Sequence, residues 1–205
     1  AGLSAPGAQA GPDAIRVRLE TALGAFEVEL DAARAPITTA NFLKYVDGGF
    51  YDGGRVHRSA RLETQAERPV KIEVIQAGIN TERRKDAFPA IPLERTSVTG
   101  VLHKDGTISM ARSGPDTAVS DFFICIGDQP SLDFGGARNP DGQGFAAFGR
   151  VVAGMDVVRG CVGRGRHWGA RDHGHGRRFR MPSAAGGGCA PGARAGTGWP
   201  GRTTA

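Results

Sequence analysis

The sequence predicts a mainly β domain of closed or sandwiched architecture. Three observations carry that reading: many short stretches in which apolar and polar residues alternate, turn signals built from Gly, Asp and Asn at regular spacing, and few segments with helical periodicity. At 205 residues the chain is long enough for one domain with a sizeable core plus a tail, and short for two.

The elements follow in order. "IRVRLETALGAFEVELD" reads as a hairpin, with Ile15, Val17 and Leu19 alternating into Gly24 and Phe26, Val28 and Leu30 alternating out of it. "APITTANFLKYVDGG" reads as a helix: Pro36 suits the first turn, Ile37, Ala40, Phe42, Leu43 and Val46 share helical spacing, and Gly48 and Gly49 end it. A turn and strand follow over Tyr51 to Arg58, where period-two alternation places Val56 and Arg58 on one face and His57 on the other. "RLETQAERP" is a polar loop, and "VKIEVIQAG" is a strand with Val70, Ile72, Val74 and Gln76 on one side and Ile75 on the other. "SVTGVLHKDGTISMARSG" reads as strand, Asp-Gly turn, strand. "DFFICIGD" is a short apolar strand, "SLDFGGARNPDGQG" a long loop, "FAAFGRVVAG" a last strand, and "MDVVR" the first turn of a helix. There is no internal repeat.

Charge is unevenly spread. The net of +5 arises after Arg159, where residues 160–205 carry eight Arg, no Lys and one acid, whereas residues 1–159 carry 18 basic and 20 acidic side chains. The body therefore lacks the basic footprint of a nucleic-acid binder. Residues 160–205 also hold 13 Gly and both Trp without apolar periodicity, which reads as a disordered or aberrant tail. Composition of this kind, rich in Arg, Gly, Ala and Pro without Lys, is what a shifted reading frame of GC-rich DNA yields; a basic arm for RNA or an acidic partner is the rival. Three cysteines with no C-x-x-C pair exclude a disulfide framework and a zinc site of usual spacing. No apolar run reaches the ~18 residues of a membrane span. Residues 1–14, small and Pro/Gly-containing, read as a flexible linker left by signal-peptide removal or by a cut in the chain; export to a periplasm follows from the first, a cytoplasmic location from the second.

Over residues 15–159 the sequence resembles the cyclophilins, peptidyl-prolyl cis–trans isomerases of a bacterial-like variety. The resemblance rests on the ordered stretches "LETALGAFEVELDAARAPITTANFLKYV", "FYDGGRVHR", "EVIQAG", "GTISMARSGPDTAVSDFFICIGD" and "FGRVVAGMDVV". It implies a closed antiparallel eight-stranded barrel capped by two short helices, with the last strand in doubt because Gly160 and a Gly/Arg-rich run follow the second helix. It implies rotation about Xaa-Pro bonds in exposed or unfolded chains, without metal or cofactor. Arg58 is then the electrostatic catalyst, Gln76 the group that orients it, and Phe123 the platform for the proline ring. Val74, Ala111, Arg112, Asp121 and Leu132 match groove-lining positions. Without the resemblance Arg58 is an ordinary rim arginine, and Phe123, Val74 and Leu132 are ordinary core residues.

The sequence departs from the family pattern at several of these places. Glu73 stands where an apolar aromatic is usual, Ser131 replaces a tryptophan, Arg112 an asparagine, Asp121 a glutamine and Val56 a phenylalanine, and about ten extra residues separate Arg58 from Gln76. A proline-binding chaperone or scaffold module with little turnover is the alternative these substitutions support. Partners expected are proline-containing peptides or unfolded chains, with no membrane and no nucleic acid, and a monomer is expected. Asp133 and Asp141 suggest a cation loop only weakly, since their spacing fits no calcium pattern.

Overall fold

A computed structural model describes residues 15–162, 168–170 and 177–180, the last two segments as backbone only. The linker expected at 1–14, Cys189 and most of the tail lie outside the described residues.

The hairpin forms as the alternation requires. Strands β1 (Ile15–Thr21) and β2 (Gly24–Leu30) pair antiparallel, with Val17 opposite Val28 and Leu19 opposite Phe26. These four are buried, while Arg16 faces Glu29 at 3.1 Å and Arg18 faces Glu27 at 3.3 Å on the outer side. Opposite charges directly across an antiparallel pair add ~0.2–1 kcal/mol each and fix the register. Helix α1 (Pro36–Asp47) follows, then β3 (Arg55–Ala60), β4 (Val74–Gly78), the single-turn helix α2 (Thr96–Thr99), β5 (Thr107–Met110), β6 (Phe122–Cys125), β7 (Ala146–Ala153) and helix α3 (Met155–Gly160).

Seven antiparallel strands in the order β3-β4-β6-β5-β7-β2-β1 make a strongly curled half-barrel. The closed eight-stranded barrel expected from the sequence is not formed by hydrogen bonds: among the described residues no ladder joins β1 back to β3. The chain after α3 supplies β8 (Trp168–Ala170), antiparallel to β1, and β9 (Arg177–Arg180), parallel to it. Both lie on the β1 edge, and among the described residues neither pairs with β3.

Two further expectations change. The strand expected before the Asp-Gly turn is α2 followed by an irregular segment, because local side chains take its backbone groups. Thr99 Oγ1 accepts from Val101 N at 3.2 Å, Thr107 Oγ1 accepts from Lys104 N at 2.9 Å, and Thr107 Oγ1 donates to Leu102 O at 3.1 Å. Helix α1 buries Thr38, Asn41, Phe42, Tyr45 and Val46 and leaves Ile37 and Ala40 exposed. Polar anchors set that face. Glu94 accepts from the amides of Ile37 and Thr38, standing in for the absent N-cap, and Asn41 Nδ2 donates to Val119 O at 2.7 Å.

The interior holds a large cluster that includes Val17, Phe26, Phe42, Tyr45, Ile75, Ile108, Phe122 and Phe148. A second cluster on the other face of β4 and β6 joins Ala60, Ile72, Val74, Phe123, Cys125 and Leu132, with Ala111 and Phe145 at its edge. That second face positions the site.

Candidate active site

Strand β3 carries a bulge that decides where Arg58 points. Val56 pairs with Ala77 and Arg58 with Gln76, so two steps on β3 match one on β4, with His57 the extra residue. Ala77 and Gln76 are neighbours and face opposite sides of the sheet. Val56 therefore enters the main core, 4% exposed, while Arg58 emerges beside Gln76 on the second face. The simple alternation that put Val56 and Arg58 on one face is corrected by that single inserted residue.

Beyond the bulge the register is regular. Ala60 faces Val74, Gln76 faces Phe123, Val74 faces Cys125, and Ser109 of β5 faces Phe123. Arg58 Nη1 donates to Gln76 Oε1 at 3.2 Å, and among the described residues Arg58 has no carboxylate within ion-pair distance. An exposed guanidinium held at one end by an amide oxygen is free at the other to meet an incoming acceptor.

Phe123, 4% exposed, is braced on two sides. Phe145 meets it edge-on at 5.3 Å and 89°, and His103 stacks at 5.9 Å and 14°. His103 is itself fixed: Nδ1 lies 2.7 Å from Asp133 Oδ1 and Nε2 lies 2.9 Å from Ser109 Oγ. The order Asp, His, Ser is that of a hydrolytic triad, but Ser109 is 0% exposed and His103 1%, so no substrate carbonyl reaches the hydroxyl. The row supports the Phe123 ring. Asp133, considered as a cation ligand, is engaged here, and Asp141 grips Arg112.

The remaining sequence-derived residues separate by exposure. Val74 and Leu132, 2% and 1% exposed, pack in the cluster around Phe123. Gln76, Ala111, Arg112 and Asp121 line a cavity of about 360 Å³ together with Arg84, Ser113 and Thr117. The wall of that cavity is pinned from behind, where the buried Tyr51 hydroxyl donates to Ser120 O at 2.6 Å. Burial holds that phenol well above its usual pKa, so it stays a donor. Asp121 lies 3.6 Å from Arg84 and 3.5 Å from His57. Burial pulls the His57 imidazole below its ordinary pKa, against the opposing pull of Asp121.

Arg112 is not a free binding group. Its side chain is 1% exposed, Nη1 and Nη2 take both Asp141 oxygens at 2.7 and 2.9 Å, Nε donates to Gly144 O at 2.7 Å, and its guanidinium lies 5.0 Å from the centre of the Phe145 ring. It clamps the long loop onto the groove. The clamp draws the Asp141 carboxyl down to about 2, chiefly through the Arg112 hydrogen bonds.

Phe145, Ile72, His103 and Arg138 were missed by sequence reasoning. Ile72 had a signal: it shares alternation with Val74 and Gln76, and from the loop it fills the cluster beneath the groove that Glu73 cannot. Among the described residues no group of three His, Cys, Asp or Glu is placed to hold a metal, and no helix is long and apolar enough to cross a membrane. A separate cavity of about 800 Å³, lined by Leu30, Arg34, Leu102 and Arg150 among others, brings none of the sequence-derived site residues together.

The family model for cyclophilin-type peptidyl-prolyl cis–trans isomerases matches residues 16–162. The chain belongs to the cyclophilin family. It is 37% identical over 143 residues to a peptidyl-prolyl cis-trans isomerase of Acinetobacter baylyi, covering 69% of each chain. Over 148 residues it is 34% identical to the isomerase cyp18 of Streptomyces antibioticus, covering 72% of this chain and 82% of that one. The cyclophilin of Cryptosporidium parvum has the same fold, with a TM-score of 0.58 at 20% identity over 83% of this chain and 95% of its own. This cyclophilin is thus a peptidyl-prolyl cis–trans isomerase.

Proposed function

We propose that Arg58, Gln76 and Phe123 carry the isomerisation, acting on Xaa-Pro bonds of exposed or unfolded chains. The Arg58–Gln76 hydrogen bond on the same sheet face as Phe123 is the observation that supports it. Rotation about the peptide bond faces a barrier of ~18–20 kcal/mol because resonance is lost midway. At the twisted geometry the proline nitrogen is pyramidal and its lone pair localised. The free end of Arg58 donates to that lone pair, an interaction that neither planar isomer offers equally, so the barrier falls. An acceleration of ~10⁵ needs about 7 kcal/mol of such preference. Gln76 fixes the guanidinium before substrate arrives, and Phe123, braced by His103 and Phe145, holds the ring while the rest of the peptide turns.

All three residues come from β3, β4 and β6, so none of them is supplied by the chain after α3. A dipeptide substrate of the right kind is Ala-Pro, in whose presence the Cryptosporidium parvum cyclophilin was crystallised. The test is exchange spectroscopy by NMR on an Ala-Pro peptide with Gln76→Ala and Phe123→Ala. The expected result is a kcat/KM lowered about tenfold or more in each, with Phe123→Ala also weakening peptide binding. Wild-type rates in both variants would refute the assignment. Peptide binding by wild type without faster exchange would select the proline-binding module instead.

A further inference from the structure

The connection between β3 and β4, residues 61–73, is a built structure. Gln65, 8% exposed, closes it from inside: Nε2 donates to Ile72 O at 2.6 Å and to Arg61 O at 2.8 Å, and Oε1 accepts from Ile72 N at 3.4 Å. Ile72 plugs into the groove cluster and ties the loop to the site. On its outer side the loop encloses a cavity of about 470 Å³ with Arg58 and Arg138 in its lining.

The charges in this cavity are not balanced locally. Arg58, Arg68 and Arg138 line it, and among the described residues none of the three has a carboxylate within ion-pair distance. Arg138 Nη1 donates to Val70 O at 2.5 Å, and Arg58 Nη1 donates to Gln76. Burial, and then the positive charges of Arg58 and Arg68, lower the Arg138 pKa, which records the crowding of like charges. Two acids also line the cavity. Glu63 is paired with Arg61 at 3.2 Å, and Glu67 is exposed on the loop. Their presence disfavours a dianion and suits a single carboxylate, which relieves the repulsion among three guanidiniums.

We infer that the cavity between loop 61–73 and Arg138 is a subsite for an acidic side chain, Asp or Glu, close to the proline being turned. The inference rests on Arg58 being the site of turnover: a peptide whose proline lies against Phe123 passes Arg58, which lines this cavity and hydrogen-bonds Gln76 of the groove. The loop that lengthens the β3–β4 connection thereby gives this cyclophilin a charge preference.

The experiment compares Ala-Pro peptides carrying Glu, Gln or Lys at each position flanking the proline pair, with kcat/KM read by NMR exchange at low salt. One position should show Glu over Gln by about three- to fivefold, the size of a solvent-screened ion pair, with Lys below both. The preference should shrink as salt rises. The Arg68→Gln/Arg138→Gln double variant should bring the Glu-to-Gln ratio to about one, and Glu67→Gln, an exposed change that leaves the loop hydrogen bonds intact, should raise it. A wild-type ratio of one at every position with both peptides turned over overturns the subsite, as does a preference that survives in the double variant. Absence of turnover of every peptide would instead overturn the role of Arg58. The Nε–H resonances of Arg68 and Arg138 then decide the subsite: shifting with the Glu peptide and not with the Gln peptide supports it, and no shift refutes it.

Discussion

Replacing His103 by Ala removes a buried ring that bridges two polar groups and supports a third. The imidazole is 1% exposed, Ser109 is 0% exposed, and the ring lies between Asp133 Oδ1 at 2.7 Å and Ser109 Oγ at 2.9 Å. Truncating a core side chain of this size costs about 2–5 kcal/mol where the walls do not collapse. The Ser109 hydroxyl, left without its partner, adds about 1 kcal/mol or more. Asp133 keeps the bond it accepts from the His103 amide at 3.1 Å, so its loss is partial. The sum is about 3–6 kcal/mol, a large part of the ~5–15 kcal/mol of a domain. Urea unfolding followed by far-UV circular dichroism measures it directly. Phe123 also loses its stacked neighbour, and an aromatic contact of ~0.5–1.5 kcal/mol translates into a kcat/KM lower by about two- to tenfold in the folded fraction. Ser109→Ala and the double variant complete a cycle that isolates the His103–Ser109 coupling. A His103→Ala loss below about 1 kcal/mol, with zero coupling to Ser109, would refute the reasoning.

Three further outcomes follow from the same geometry. Asp141 has a folded pKa depressed to about 2, so the clamp on Arg112 contributes fully above the ordinary carboxylate value of ~3.9 and is lost as pH falls through about 2; the Arg112 Nη–H signals, from the two groups that donate to Asp141, should persist to about pH 3, and their loss at pH 4 would contradict this. Burial raises the Cys125 thiol and pushes the Cys161 thiol up to about 11, so in a Cys189→Ser protein neither should react with a disulfide reagent at pH 8 until urea unfolds the chain; rapid native labelling would contradict that. A Cβ on Gly149 would overlap Glu29 O and lie 3.1 Å from Leu30 Cα, so Gly149→Ala should part β7 from β2 and lower stability by more than about 2 kcal/mol in the same urea assay.

Much of this was legible in the sequence because the signals were local. The hairpin over residues 15–30 writes its register in alternating apolar residues and in arginines facing glutamates. Helix α1 is announced by Pro36 and closed by two glycines, although which of its faces is buried depends on Glu94 and Val119, far along the chain. The bulge at His57 left no trace, since one inserted residue alters no composition yet reverses the face of everything before it. The support of Phe123 was invisible for a different reason. His103 meets Asp133 30 residues away, and Arg112 meets Asp141 29 residues away, so each looked like a loop polar residue or a groove lining until the fold joined them. The strand lost before the Asp-Gly turn shows the same limit from the other side: alternation was present, but Thr99 and Thr107 took the backbone groups a ladder would have used.

The central claim is that the free end of the Arg58 guanidinium stabilises the twisted peptide bond. Exchange spectroscopy on an Ala-Pro peptide with wild type, Arg58→Lys and Arg58→Ala tests it most directly. Accelerated exchange in wild type that falls by about 10²–10³ in Arg58→Ala, as for removal of one transition-state donor, with peptide affinity little changed and partial activity in Arg58→Lys, is the expected result. Exchange in folded Arg58→Ala as fast as in wild type would contradict it.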